Sequence, residues 1–426
     1  MNQDRVTATD VVSLFLSFAT HNTQSDPDSG ENPSALRLLN FARFLGDVCR
    51  QVGLSEVEVD GHGYVYATLP PAKGAESIPP IGFIAHYDTS PDFSGEGVAP
   101  KIINNYDGND IPLGALVLSP EEFPSLRQYR GHDLITTDGR TLLGADDKAG
   151  VAEILAAVQK LMRDNKAFYG KVRVAFTPDE EIGHGADHFD VGKFGTEFAF
   201  TVDGGELGEL EYESFNAANA TIRIIGKSVH PGTAKGIMIN AAQIAAEIAC
   251  ALPRGETPET TEGYEGFYHL YRTQAAVEKA RMDILVRDFD RQRFEQRKAF
   301  LSDIVAQTNF RCGQEVAQLS ISDQYYNMAD ILKDRSDIIE LAVRSMKSVN
   351  IIPKIVPIRG GTDGSRLSFM GLPCPNLFTG GQNFHGPYEY ISIQAMEKAV
   401  DLIAAIIRRH AGEAPPRQSA APHSQL

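Results

Sequence analysis

An alternation of short apolar runs with helical periodicity, broken once in the middle, constrains this chain more than any other feature. Residues 35–52 repeat apolar side chains at three- to four-residue spacing and stop at Gly53, a C-cap signal. Residues 81–85 (IGFIA) follow a Pro-Pro pair and read as a buried strand. Residues 151–162 read as a helix, and residues 172–176 (VRVAF) and 198–202 (FAFTV) as further strands. This rhythm predicts an α/β fold: a parallel or mixed sheet with helices on its faces.

From about Phe215 the rhythm changes. A half-buried strand over residues 216–226 is followed by an Ala- and Ile-rich helix over 238–252. Strands over 266–273 and 277–287, a helix over 291–308 and a strand over 316–321 complete a strand-helix-strand-strand-helix-strand block. That order predicts a small ferredoxin-like domain. The first rhythm then resumes with a helix at 336–349, a strand at 354–358 and a helix at 393–410. The expected organisation is therefore a catalytic domain in two parts, residues 1–214 and 326–411, with the ferredoxin-like domain inserted at 215–325. The aperiodic tail 412–426 is expected to be disordered. A chain of 426 residues is long enough for two cores.

Composition removes several function classes. A net charge of −16 gives no basic footprint for nucleic acid. No apolar run approaches the ~18 residues of a membrane span. Residues 11–19 (VVSLFLSFA) are preceded by two Asp and one Arg, the wrong charge for a secretory leader, and read as an amphipathic helix. Cys49, Cys250, Cys312 and Cys374 are scattered, which argues against a disulfide framework and for a reducing cytoplasm. Gly226-Lys227-Ser228 lacks the earlier glycine of a phosphate loop, because Thr221 stands there. No H-E-x-x-H, G-x-S-x-G or G-x-G-x-x-G motif is present.

Five segments share one pattern, each placing His, Asp or Glu shortly after an apolar run. They are His86-Tyr87-Asp88 after IGFIA, Asp146-Asp147 after LITTDGRTLLGA, Asp179-Glu180-Glu181 after VRVAFTP, Asp203 after FAFTV, and His385 after PNLFTGG. Singly, each has an ordinary explanation as a cap, turn or solvated loop. Jointly they point to one crevice at the carboxyl ends of the strands, where ligands bind in open α/β sheets. Acids and imidazoles gathered there repel one another unless cations neutralise them. Mixed imidazole and carboxylate without thiolate suits zinc, cobalt or manganese, and the number of donors exceeds what one four-coordinate ion needs.

The segments HYDTSPDFSGEGV, TLLGADDKAGVAEI, AFTPDEEIG, TVDGGELGELEYESFNAA, VHPGTAKG, ETTEGYEGFYHL and IRGGTDGSRLSFMGLPCPNLFTGGQNFHG carry a resemblance. They resemble the peptidase T family of tripeptide aminopeptidases, within the aminoacylase/carboxypeptidase group of dinuclear zinc metallopeptidases. The match runs from roughly residue 35 to 410. It implies a mixed-sheet zinc-exopeptidase domain with an inserted lid, cytoplasmic location, short peptide substrates and two zinc ions, with cobalt or manganese as substitutes. It implies that His86 and Asp203 bind the first ion, Asp146 bridges, and Glu181 and His385 complete the second site. Asp88 would orient His86, and Glu180 would be the general base. The sequence alone does not choose between Glu180 and Glu181. In the lid, His230 would stabilise the oxyanion and Asn240 would assist, while Arg359 would bind the substrate carboxylate. A dipeptidase or aminoacylase on the same metals is the alternative activity, and a homodimer through the lid is the one assembly left open.

Overall fold

Every residue of the strand Ile81–His86 is buried, as a strand covered by helices on both faces requires. In this computed structural model, which describes residues 10–413, that strand lies near the centre of an eight-stranded mixed sheet. The order is Ser55–Val59, Val65–Leu69, Val172–Thr177, Ile81–His86, Ala199–Gly204, Asn376–Phe378, Glu209–Glu211 and Lys354–Ile355. The four strands from Val172–Thr177 to Asn376–Phe378 run parallel. Their flanking strands, Val65–Leu69 and Glu209–Glu211, pair antiparallel. The mixed sheet expected from the alternating pattern is thus present.

Helix Ala145–Arg163 packs on strands Ile81–His86 and Ala199–Gly204 and is buried along most of its length. Gly150 makes this close packing feasible, because a Cβ there would lie 1.9 Å from the carbonyl oxygen of Val202. The helix start is thereby brought against the end of the strand that carries Asp203. Helix Leu36–Val52 ends as its sequence suggests. Gly53 adopts the left-handed conformation at φ +102°, and its N–H is bonded to the carbonyls of Arg50 and Cys49.

A second, four-stranded sheet has no counterpart in the sequence expectations. It joins Gly381–Gln382, Tyr390–Ser392, Leu134–Thr136 and Lys101–Ile103, pieces too short to show periodicity. This changes how Asp146 arrives. The run before it belongs partly to this small sheet, so Asp146 does not follow a strand of the main sheet as the other four segments do.

The chain divides into two compact units. The larger takes the residues up to Tyr212, Ile331–Val356, and those from Thr362 onward; the smaller takes Glu213–Asp330 and Pro357–Gly361. The smaller unit therefore reaches beyond the expected 215–325. Its ends are tied by Ser214, whose N–H donates to Asn327, and by Ile358, whose N–H donates to the Glu213 carbonyl. Within it, strands Asn216–Ile225, Phe267–Ala275, Lys279–Asp288 and Ala317–Tyr325 form an antiparallel sheet. The first strand lies between the third and fourth, and the second is at the edge. Helices Ala241–Ala251 and Arg291–Cys312 complete the βαββαβ order. Ala218, Ala220, Ile222 and Ile224 alternate into its core, the period-two pattern of a sheet with one buried face.

The expected disordered tail 412–426 begins inside the last helix, which runs from Ile393 to Glu413. Residues 414–426 lie outside the described residues. Among the described residues no helix is long and apolar enough to cross a membrane.

Candidate metal centre

The parallel pairing of four strands sets where their first loop residues fall. His86 ends its strand opposite Thr177 of the neighbour, and Glu180 and Glu181 follow that neighbour in a short 3₁₀ turn, Glu180–Ile182. On the other side Asp203 lies near the end of Ala199–Gly204. Next comes Asn376–Phe378, whose continuation leads to His385. These side chains meet at the carboxyl ends of the four parallel strands.

They form two donor groups that share one residue. His86, Asp146 and Asp203 make the first, and Asp146, Glu181 and His385 the second, with the ligand atoms of each within 4.8 Å of one another. His86 Nε2 lies 2.9 Å from Asp146 Oδ1 and 3.4 Å from Asp203 Oδ1. His385 Nε2 lies 2.9 Å from Glu181 Oε2 and 3.3 Å from Asp146 Oδ2. Asp146 thus faces one group with each oxygen. Glu180 belongs to neither group, although its Oε2 is 3.9 Å from His86 Nε2.

Asp88 supports this arrangement twice. Its carbonyl oxygen is 3.1 Å and its carboxylate 3.3 Å from His86 Nδ1, which turns Nε2 toward the acids. Its two carboxylate oxygens also accept the N–H groups of Glu180 and Glu181, at 3.0 and 3.2 Å. The neighbouring glutamates diverge because a 3₁₀ turn rotates successive side chains by about 120°. Asp179, just before them, has φ +59°. Its carboxylate accepts the Ser34 N–H at 2.7 Å and the Ser34 hydroxyl, which offsets the cost of left-handed backbone in a non-glycine residue.

The electrostatics fit a cation site. Burial pushes the Glu181 carboxyl up to about 8 and that of Asp203 to about 6, and holds Glu180 well above its usual range. Burial also opposes ionisation of Asp146, yet hydrogen bonds and charge from His385 and His86 outweigh it and hold that carboxyl low. Burial lowers His385, but Asp146 and Glu181 raise it to about 11. Glu181 Oε1 is buried without a hydrogen-bond partner. An orphaned carboxylate oxygen among imidazoles and acids is a donor set that divalent cations complete.

Two nearby acids, Asp363 and Glu389, escaped sequence reasoning, and Asp147 was read only as part of the Asp146 segment. Asp147 is fully buried and accepts the N–H of His86 at 3.1 Å. Asp363 accepts the Thr177 hydroxyl at 2.7 Å, and burial pushes its carboxyl up to about 7. Glu389 accepts four consecutive N–H groups, from Leu143 to Asp146, at 2.6–3.2 Å. No local motif marks Glu389, since its partners lie more than 240 positions away in the chain.

In the smaller unit, the three residues expected to serve the substrate have these local surroundings. Asn240 is the N-cap of helix Ala241–Ala251, and its side-chain oxygen accepts the N–H groups of Ala242 and Gln243. Arg359 donates from both terminal nitrogens to the carbonyls of Gly263, Glu265 and Thr261 and to the Thr261 hydroxyl. It also lies over the rings of Phe215 and Phe267. Its fork holds the loop 261–265. His230 is exposed, and its Nδ1 accepts the Gly232 N–H at 3.1 Å.

The paired donor groups at these strand ends fit a metal-dependent hydrolase of the α/β class. The chain belongs to peptidase family M20/M25/M40, whose sequence model matches residues 135–409. It is 53% identical to Peptidase T of Geobacillus sp. strain WCH70 over 402 residues, 94% of this chain and 98% of that protein. It is 54% identical to Peptidase T of Caldanaerobacter subterraneus subsp. tengcongensis over 93% of this chain and 98% of that one. Its fold is similar to the crystal structure of the aminopeptidase PepT from Bacillus cereus ATCC 10987. There the TM-score is 0.74 and the identity 22%, over 95% of this chain and 99% of that one.

Proposed function

We propose that this protein is a tripeptide aminopeptidase that uses two zinc ions. The observation that carries the reading is the pair of donor groups sharing Asp146, with Glu180 beside them and in neither. The relatives named Peptidase T, similar over almost the whole chain, support the tripeptide as substrate. When bound, the two cations supply Lewis-acid polarisation of the scissile carbonyl and lower the pKa of the attacking water. His86 and Asp203 would hold one ion, Glu181 and His385 the other, and Asp146 both.

Glu180 then takes a proton from the attacking water and passes it to the leaving amine. Its place beside His86 and outside both donor groups leaves its carboxylate free to accept a proton and release it again. Asp88 fixes the backbone from which Glu180 projects, so the base stays in place through the turnover. In the smaller unit, a neutral His230 whose Nδ1 accepts the Gly232 N–H carries its proton on Nε2. That proton is the one an oxyanion donor needs. The four unpaired cysteines support a reducing, cytoplasmic setting.

Parallel assays of Ala-Ala-Ala, Ala-Ala, N-acetyl-alanine and N-acetylated Ala-Ala-Ala with zinc present test the substrate class. The free tripeptide should release its N-terminal alanine fastest. Blocking its amine should lower kcat/KM by about 10- to 150-fold, the loss of one charged hydrogen-bonded contact of ~1.5–3 kcal/mol. Faster cleavage of the dipeptide or of N-acetyl-alanine would overturn the reading in favour of a dipeptidase or an aminoacylase.

A further inference from the structure

Glu389 is 1% exposed, and a buried carboxylate has to be matched by donors to be tolerated. Here the match is unusually complete. Oε2 accepts the N–H groups of Leu143 at 2.6 Å and Gly144 at 2.9 Å, and Oε1 those of Ala145 at 2.7 Å and Asp146 at 3.2 Å. These four N–H groups belong to the turn that opens helix Ala145–Arg163, with Gly144 in the left-handed region at φ +78°. They are free to bond outward because the first N–H groups of a helix have no partner within it. The fourth of them belongs to Asp146, the one residue common to both donor groups.

The same loop supplies a metal donor and this anchor. Strands Gly381–Gln382 and Tyr390–Ser392 pair antiparallel, and the loop between them carries both His385 and Glu389. The two arms of the second donor group, Asp146 and His385, are therefore tied to each other through Glu389 by backbone and hydrogen bonds alone.

We infer that Glu389 is a positioning residue for the metal pair: its carboxylate cradles the turn Leu143–Asp146 and aims the shared Asp146 before any cation arrives. A carboxylate is required because all four surrounding groups are donors. Glutamine would turn its own NH₂ against two of them, leaving them unsatisfied. The effect passes through Asp146, so it appears first in metal affinity. Loss of a group that orients a metal ligand typically costs about 10–100-fold in affinity.

The inference rests on Asp146 being a metal ligand, and the experiment separates the two claims. Zinc affinity is measured by competition with a chromogenic chelator for wild type, Glu389→Gln and Glu389→Asp. Amide hydrogen exchange of Leu143–Asp146 is followed in metal-free wild type. Wild type should bind zinc, Glu389→Gln should bind about 10–100-fold more weakly, and Glu389→Asp, which keeps the charge one methylene further back, should fall between them. The four amides should be protected before metal is added. If wild type binds no zinc, the metal-centre reading itself fails. If wild type binds and Glu389→Gln matches it within about threefold, or the four amides exchange freely until zinc is added, the positioning role is overturned. The exchange measurement needs no variant, so a substitution that prevents folding still leaves the inference decided.

Discussion

Glu180→Gln should lower kcat on a tripeptide by about 10²–10⁴-fold while leaving the metal content per chain unchanged. The reasoning is geometric. Glu180 stands outside both donor groups, so removing its charge takes no ligand from either. Its backbone N–H is held by Asp88 and not by its own side chain, so the amide variant keeps the loop in place. What disappears is the capacity to accept a proton, since a glutamine side chain is not a base at neutral pH. Metal analysis beside a kinetic assay reads both halves of the expectation. Near-normal turnover, or a loss of metal equal to the loss of activity, would remove Glu180 from the role of base.

Asp146→Ala should do the opposite and strip the centre. Its two oxygens face different groups, Oδ1 toward His86 and Oδ2 toward His385, so one substitution removes a donor from both. It also leaves both imidazoles without the acid that lies 2.9 Å and 3.3 Å from them. Metal content should fall toward zero, and activity should drop beyond the ~10⁴-fold bound of losing a general base alone. Inductively coupled plasma analysis after gel filtration checks this. Full metal content in the variant would show that Asp146 does not join the two groups.

The fold was legible wherever an element was long enough to express its period. The strand Val172–Thr177, the helix Leu36–Val52 with its glycine cap, and the βαββαβ order of the smaller unit all follow from apolar spacing and caps. The small sheet that holds Tyr390–Ser392 was not legible, because two or three residues carry no period. The cluster of acids and imidazoles was legible as a set of loop residues after strands, and the resemblance named the donors that the structure brings together. Glu389 was illegible for a different reason. Its partners are backbone N–H groups of a distant turn, and backbone donors leave no mark in the sequence.

Asn240 and Arg359 differ in how much of their surroundings the sequence encodes. An asparagine directly before the Ala-rich run starting at Ala241 is an N-cap signal in its own right, and that local reading is the one the structure displays. Arg359 has flanking glycines that imply close backbone approach, and the approach exists. Its nitrogens meet the carbonyls of the loop 261–265, a contact nearly a hundred positions away in the chain that no local pattern encodes.

The central claim is that five side chains hold two cations, with Asp146 common to both. Crystals of the protein loaded with zinc, measured at the zinc absorption edge, test it most directly. The account predicts two anomalous peaks, one reached by His86, Asp146 and Asp203, and the other by Asp146, Glu181 and His385. A single peak, or peaks that Asp146 does not join, would contradict it.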